Sequence, residues 1–137
     1  MYDVIIVGAG PAGLFAAYEL IKNKKLKVLL IDQGKFAEHR VCSMNKYGTK
    51  CLNCNPCQIL SGYGGAGTFS DGKLNYVPKL GKSDLYKYMT SDEADKLLID
   101  TESIFNKFGM DSDVYPTNME EAMKIKKYTT FWIENWQ

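Results

Sequence analysis

The stretch Asp3-Val-Ile-Ile-Val-Gly8-Ala9-Gly10-Pro11-Ala12-Gly13 carries the sharpest chemistry in the sequence. Its spacing is Gly-x-Gly-x-x-Gly, and each glycine answers a separate need. Gly8 permits a tight turn out of a strand. Gly10 has no side chain to hold a pyrophosphate away from the backbone. Gly13, with Ala17 four residues on, lets a helix lie close to a sheet. A helix starting here offers N–H groups and a partial positive charge to an anion. Pro11 in its first turn sacrifices no intrahelical bond. Asp32, with Gln33 beside it, closes the next apolar run. Its carboxylate can accept hydrogen bonds from ribose hydroxyls, and its charge disfavours NADP. FAD and NAD share the ADP half, so the loop by itself fits either.

The second chemical cluster is Cys42, Cys51, Cys54 and Cys57, a C-x8-C-x2-C-x2-C pattern. Thiols at this spacing could converge on an iron–sulfur centre or on zinc. A Cys-x-x-Cys pair could instead cycle between dithiol and disulfide, with Lys46, Lys50 or Arg40 lowering a thiol pKa. The same residues also read as small loop hydrophobes. His39 stands nearby and reads more readily as a surface or capping residue than as a ligand.

A second glycine-dense segment follows, Ser61-Gly-Tyr-Gly64-Gly65-Ala66-Gly67-Thr-Phe-Ser-Asp71-Gly-Lys-Leu74. Its N–H groups could form a nest for an anion or a ring carbonyl. It lacks the Gly-Lys-Ser/Thr ending of a P-loop.

The elements that must position these residues are legible in the pattern. Asp3–Val7 and Leu26–Ile31 read as strands buried on both faces, and the residues from Pro11 to Ile21 as a helix of roughly three turns. Strand, helix and strand make one βαβ unit with parallel strands. Residues 33–82 form a long Cys/Gly-rich insertion with little periodicity, and a short helix is predicted around Cys57–Leu60. Thr90 and Glu93 spell a capping box for a helix over Ser91–Phe108. One face of it carries Ala94, Leu97, Leu98, Thr101, Ile104, Phe105 and Phe108, and Gly109 stops it. A further helix is predicted from near Thr117, and a strand over Tyr128–Ile133. The fold class is α/β, a Rossmann-like βαβ unit with added helices, read as an incomplete doubly wound domain. The chain of 137 residues suits one domain.

Lys and Arg number 17 against 16 Asp and Glu, so no basic excess points to nucleic acid, and Trp132 and Trp136 read as packing residues. The apolar runs fall short of the roughly 18 residues a membrane span needs. Asp3 precedes the first run, and glycines and Pro11 interrupt it, unlike a signal peptide. The expected location is cytoplasmic, with thiols reduced.

Asp3–Gly13 resembles the N-terminus of flavoproteins with two dinucleotide-binding domains. The run from Arg40-Val-Cys42 through Gly48-Thr-Lys-Cys51-Leu-Asn-Cys54-Asn-Pro-Cys57 to Gly62-Tyr-Gly-Gly-Ala-Gly67-Thr-Phe-Ser-Asp-Gly-Lys-Leu74 is similar to a narrower group, the bacterial NAD(FAD)-utilizing dehydrogenases. The resemblance covers roughly residues 1–125. It implies FAD at Gly8, Ala9, Gly10, Pro11, Ala12, Gly13, Asp32 and Gln33. It also implies that Arg40, Gly64, Gly65, Ala66 and Gly67 lie near the cofactor, that NAD could donate electrons, and that a small molecule is the substrate. Ser43 stands where the family pattern has Pro. No Gly-Asp dipeptide occurs, although such flavoproteins carry one on a later strand, and residues 128–137 form an atypical tail. The expectation is the N-terminal, FAD-binding portion of an oxidoreductase, weakly active or inactive alone. The alternative is a cysteine-based metal-binding or electron-carrying module without flavin catalysis.

Overall fold

The aliphatic runs Val4–Val7 (β1) and Val28–Ile31 (β2) pair as parallel strands, Val4 opposite Val28 and Val7 opposite Ile31. The computed structural model describes residues 1–110, 112, 118 and 120–124. Its contacts divide the chain into two compact units, Met1–Leu74 and Asn75–Gln137.

In the first unit, helix α1 spans Pro11–Ile21 with Pro11 in its opening turn. Its end is set by Lys22 and Asn23, whose N–H groups bond back to the carbonyls of Glu19 and Leu20. Asp3 ties the two strand starts together, because its carboxylate accepts the Lys27 N–H at 2.7 Å. The unit is therefore mixed α/β around a small parallel sheet.

The two strands are not buried on both faces. Val4 and Ile6 are half-buried, whereas Ile5 is 58% and Val7 81% exposed. Ile6 lies against α1, with a methyl 3.4 Å from the position of a Cβ on Gly13. One helix covers one face of a sheet, so the apolar residues of the other face stay in solvent. An unbroken aliphatic run looks the same in either case.

Beyond β2 the chain makes a 3-10 turn at Ala37–His39 and a short helix α2 at Ser43–Tyr47, ended by Gly48. The helix predicted around Cys57–Leu60 is not formed. A single turn closes there, Ser61 N–H to Cys57 carbonyl at 3.0 Å, and the short helix of this region is α2 instead. Residues Gly65–Phe69 form another 3-10 turn.

The second unit opens with a hairpin, Lys79–Leu80 (β3) against Ser83–Asp84 (β4). Helix α3 runs over Ser91–Lys107 with both halves of the Thr90–Glu93 capping box in place. Ala94 is buried, and Leu98, Thr101, Ile104 and Phe105 are half-buried. Leu97 and Phe108, which the spacing put on that face, are exposed. Asn118 caps a helical turn over 120–124 through the N–H groups of Glu120 and Glu121. The predicted helix start at Thr117, the strand over Tyr128–Ile133 and both tryptophans lie outside the described residues.

Candidate functional site

The glycine loop joins β1 to α1 by an arrangement that side chains would prevent. A Cβ on Gly13 would sit 1.9 Å from the Gly8 carbonyl oxygen, so α1 reaches the sheet only because Gly13 has none. Gly8 adopts φ +102°, a region that glycine enters without strain. Gly10 differs from both. Its φ is −70°, and a Cβ built on it meets nothing within 4 Å. Nothing in the protein itself demands glycine at position 10, which leaves room for something outside the chain to approach the backbone. No side chain caps α1, and its first turn holds no acidic residue. Both features suit an anion at the helix start.

Asp32 is drawn into the loop. Its Oδ2 accepts the Ala9 N–H at 2.8 Å and its Oδ1 the Gly34 N–H at 2.8 Å. The Ala9 N–H contributes most to holding the Asp32 carboxyl below its ordinary pKa. Gly34 follows, burial opposes, and the Gly62 N–H and the Arg40 charge add smaller contributions. A carboxylate has about four acceptor positions, so these bonds leave capacity for ribose hydroxyls. An open cleft of about 450 Å³ lies at the carboxyl ends of the strands, lined by Val7, Gly8, Ile31, Asp32 and Gln33. Its volume is within the range of ligand sites, and its place is the one parallel α/β sheets use for binding.

The second glycine segment packs onto the first. Gly64 N–H bonds to the Ala9 carbonyl at 2.8 Å, and a Cβ on Gly65 would lie 3.4 Å from the Gly10 Cα. Two backbones also cross where a Cβ on Gly34 would fall 2.4 Å from Gly62 N. Gln33 bonds to Ser61 at 3.1 Å, and Phe36 stacks on Tyr63 at 4.4 Å. Ala66 and Gly67 are exposed, as are Pro11 and Ala12 at the start of α1.

Arg40 joins these parts. It is 4% exposed, and all three of its guanidinium nitrogens donate to the chain. Nε reaches the Gln58 carbonyl at 3.0 Å and Nη1 the Tyr63 carbonyl at 2.9 Å. Nη2 reaches the carbonyls of Ile59 and Gly65, the latter at 3.0 Å. The Phe69 ring lies under the guanidinium at 4.7 Å. The sequence does not advertise this role. The signals available were Gly34 and Gly62, because glycine can mark close backbone approach.

The four cysteines do not gather into a metal site among the described residues. Among the described residues no group of three or more His, Cys, Asp or Glu could hold a metal ion. Cys42 precedes α2 and Cys51, Cys54 and Cys57 follow it; all four are free thiols, and Cys51 and Cys54 are exposed. An iron–sulfur or zinc ligand set is one of the readings the spacing admits. The chain from Gly48 to Cys54 takes no regular structure that would gather the thiols. His39 is exposed beside Glu38, at 3.7 Å, and joins no such group.

Residues 1–37 match the model of the Thi4 family. An uncharacterized protein of Clostridium beijerinckii is 38% identical over 73 residues, 51% of this chain and 13% of its own length. Thiamine thiazole synthase 4 of Physcomitrium patens is 61% identical over 32 residues, 23% of this chain and 9% of that enzyme. A Marinomonas mediterranea protein, provisionally named FAD-dependent oxidoreductase LodB, is 40% identical over 40 residues, 29% of this chain and 11% of its length. The aligned stretches thus span only about a tenth of these relatives. No solved structure matches the chain. No helix among the described residues is long and apolar enough to cross a membrane. The N-terminal part of the chain is similar, over a short stretch, to proteins of the Thi4 family and to one named for FAD-dependent oxidoreduction.

Proposed function

We propose that the unit Met1–Leu74 binds the ADP half of FAD and is the Rossmann-like, cofactor-binding portion of an oxidoreductase of the FAD-dependent dehydrogenase type. The observation that carries this reading is Gly10. Its missing side chain leaves open space at the uncapped start of α1, beside the strand-end cleft. Such a gap admits a pyrophosphate against the backbone. The residues fit the group. Gly8–Gly13 would take the pyrophosphate, Asp32 the ribose hydroxyls, and Gln33 lines the same cleft. The negative charge of Asp32 favours FAD or NAD over NADP. FAD, when bound, supplies hydride and electron transfer through its ring. Arg40 spends its donors on the loop and so positions Gly64 and Gly65 rather than meeting a phosphate.

The test is a fluorescence titration of the full chain with FAD, repeated in the presence of ADP and with Gly10→Val. The expected result is binding that ADP displaces and that Gly10→Val abolishes. FAD binding indifferent to both would overturn the assignment.

A further inference from the structure

Dinucleotide binding gives the thiols no role, yet one of them is set in a polarised niche. Cys54 and Cys57 flank a bend at Asn55 and Pro56. Cys54 is exposed and Cys57 half-buried, and neither is in a disulfide. The stretch 49–55 makes no backbone–backbone hydrogen bond with another described residue, so Cys54 rides on an unpinned tether. Cys57 is anchored, because its carbonyl closes the turn with Ser61.

Arg40 grips the two peptide groups just beyond Cys57. It holds the carbonyl of Gln58 through Nε and the carbonyl of Ile59 through Nη2. A trans peptide points its N–H opposite its C=O. The same two peptide groups therefore turn the N–H of Ile59 and the N–H of Leu60 away from Arg40, and these two N–H groups are the main influences that lower the Cys57 thiol pKa. A cation on the carbonyl end of a peptide strengthens the N–H at its other end. Leu60 N–H, then Ile59 N–H, with a smaller contribution from the Arg40 charge, hold the Cys57 thiol below its ordinary pKa against the opposing effect of burial. Cys51, by contrast, points its sulfur at the Asn53 side chain, 3.7 Å away.

We propose that Cys57 and Cys54 form a thiol–disulfide exchange site, with Cys57 as attacking sulfur, Cys54 as resolving sulfur and a low-molecular-weight aliphatic disulfide as substrate. A half-buried sulfur admits a slender disulfide more readily than one held in a folded protein. The Cys57 thiolate attacks one sulfur of the substrate. The substrate S–S bond breaks, a Cys57 mixed disulfide forms, and the first thiolate leaves and takes a proton from water. The Cys54 thiolate then attacks the Cys57 sulfur and expels the second thiol. Two protein thiols are oxidised to one disulfide, and one substrate disulfide is reduced to two thiols. Arg40 is a positioning residue, acting on Cys57 through two peptide groups.

The test treats the reduced full-length chain with oxidised glutathione without oxygen, quenches with acid and maps the cysteines by mass spectrometry. The expected product is a Cys54–Cys57 disulfide with two glutathione thiols released per disulfide. Cys54→Ser should stop with glutathione on Cys57. In a parallel measurement on the unaltered chain, iodoacetamide at neutral pH should label Cys57 several-fold faster than Cys51. Arg40→Lys should shift the pH profile of Cys57 labelling upward while leaving that of Cys51 in place. Glutathione accumulating on Cys51 or Cys42, or Cys57 labelling no faster than Cys51 in the unaltered chain, would overturn the proposal.

Discussion

The carboxylate of Asp32 accepts the backbone N–H of Ala9 at 2.8 Å, so the acid that ends β2 buckles the glycine loop that ends β1. Ala9 is wholly buried at that point. One side chain thereby couples the two strand ends that line the cleft.

Acid should loosen this buckle. The Asp32 carboxyl is held below its ordinary value, first by the Ala9 N–H and then by the Gly34 N–H. A depressed carboxyl stabilises the fold above its unfolded pKa, and that stability is lost as pH falls through the folded value. Asp32→Asn keeps one acceptor oxygen and turns an N–H₂ toward the other donor. We expect it to cost about 1–2 kcal/mol near neutrality and to flatten the acid limb of the stability profile. Urea melts carried from neutral pH into acid would check this. An acid limb identical in variant and parent would remove Asp32 from the account.

Gly13 and Gly10 should respond differently to a single methyl. At Gly13 the methyl would lie 1.9 Å from the Gly8 carbonyl, and α1 must move. Gly13→Ala should lower the melting temperature and change the circular dichroism. At Gly10 the methyl meets nothing within 4 Å. Gly10→Ala should melt like the parent and lose nucleotide affinity. Equal melting losses in the two variants would contradict the assignment of the Gly10 gap to a ligand.

Arg40→Met keeps the aliphatic stem and removes every donor. The carbonyls of Gln58, Ile59, Tyr63 and Gly65 then lose a partner. A loss of about 2–4 kcal/mol is expected. Arg40→Lys should recover only part of it, because one ammonium cannot span the fork. Limited proteolysis should report new cleavage within residues 58–65 in the Met variant.

The capping box of α3 offers a local check. Thr90 accepts the Glu93 N–H and its own N–H bonds to the Glu93 carboxylate. Thr90→Ala should cost the helix about 1 kcal/mol, seen as faster hydrogen exchange in the first turn, Ser91 to Ala94. Unchanged exchange there would show that the cap is dispensable.

Features set by near neighbours could be read from the sequence. The turn at Gly8, the start of α1 at Pro11 and the Thr90 cap each depend on residues a few positions apart. Features set by distant partners were not legible. The resemblance puts Arg40 near the cofactor, but nothing near it in sequence reveals that Gln58, Tyr63 and Gly65 take its donors. The cysteine spacing fits a metal set, a redox pair and small loop residues alike, because spacing carries no information about whether a loop folds back. Ile5 and Val7 looked buried because an aliphatic run does not say how many layers cover it.

The seating of Gly65 on Gly10 and Pro11 bears on how this motif could be moved between proteins. The stretch shared with the Thi4 family ends at residue 37. The roof over the loop, Gly64 and Gly65, and the Arg40 that holds it come from beyond that point. A graft of residues 1–37 into another scaffold would carry the floor of the proposed phosphate cradle without its ceiling. The working cassette is discontinuous, and a recombination breakpoint between Gly13 and Gly62 would divide it.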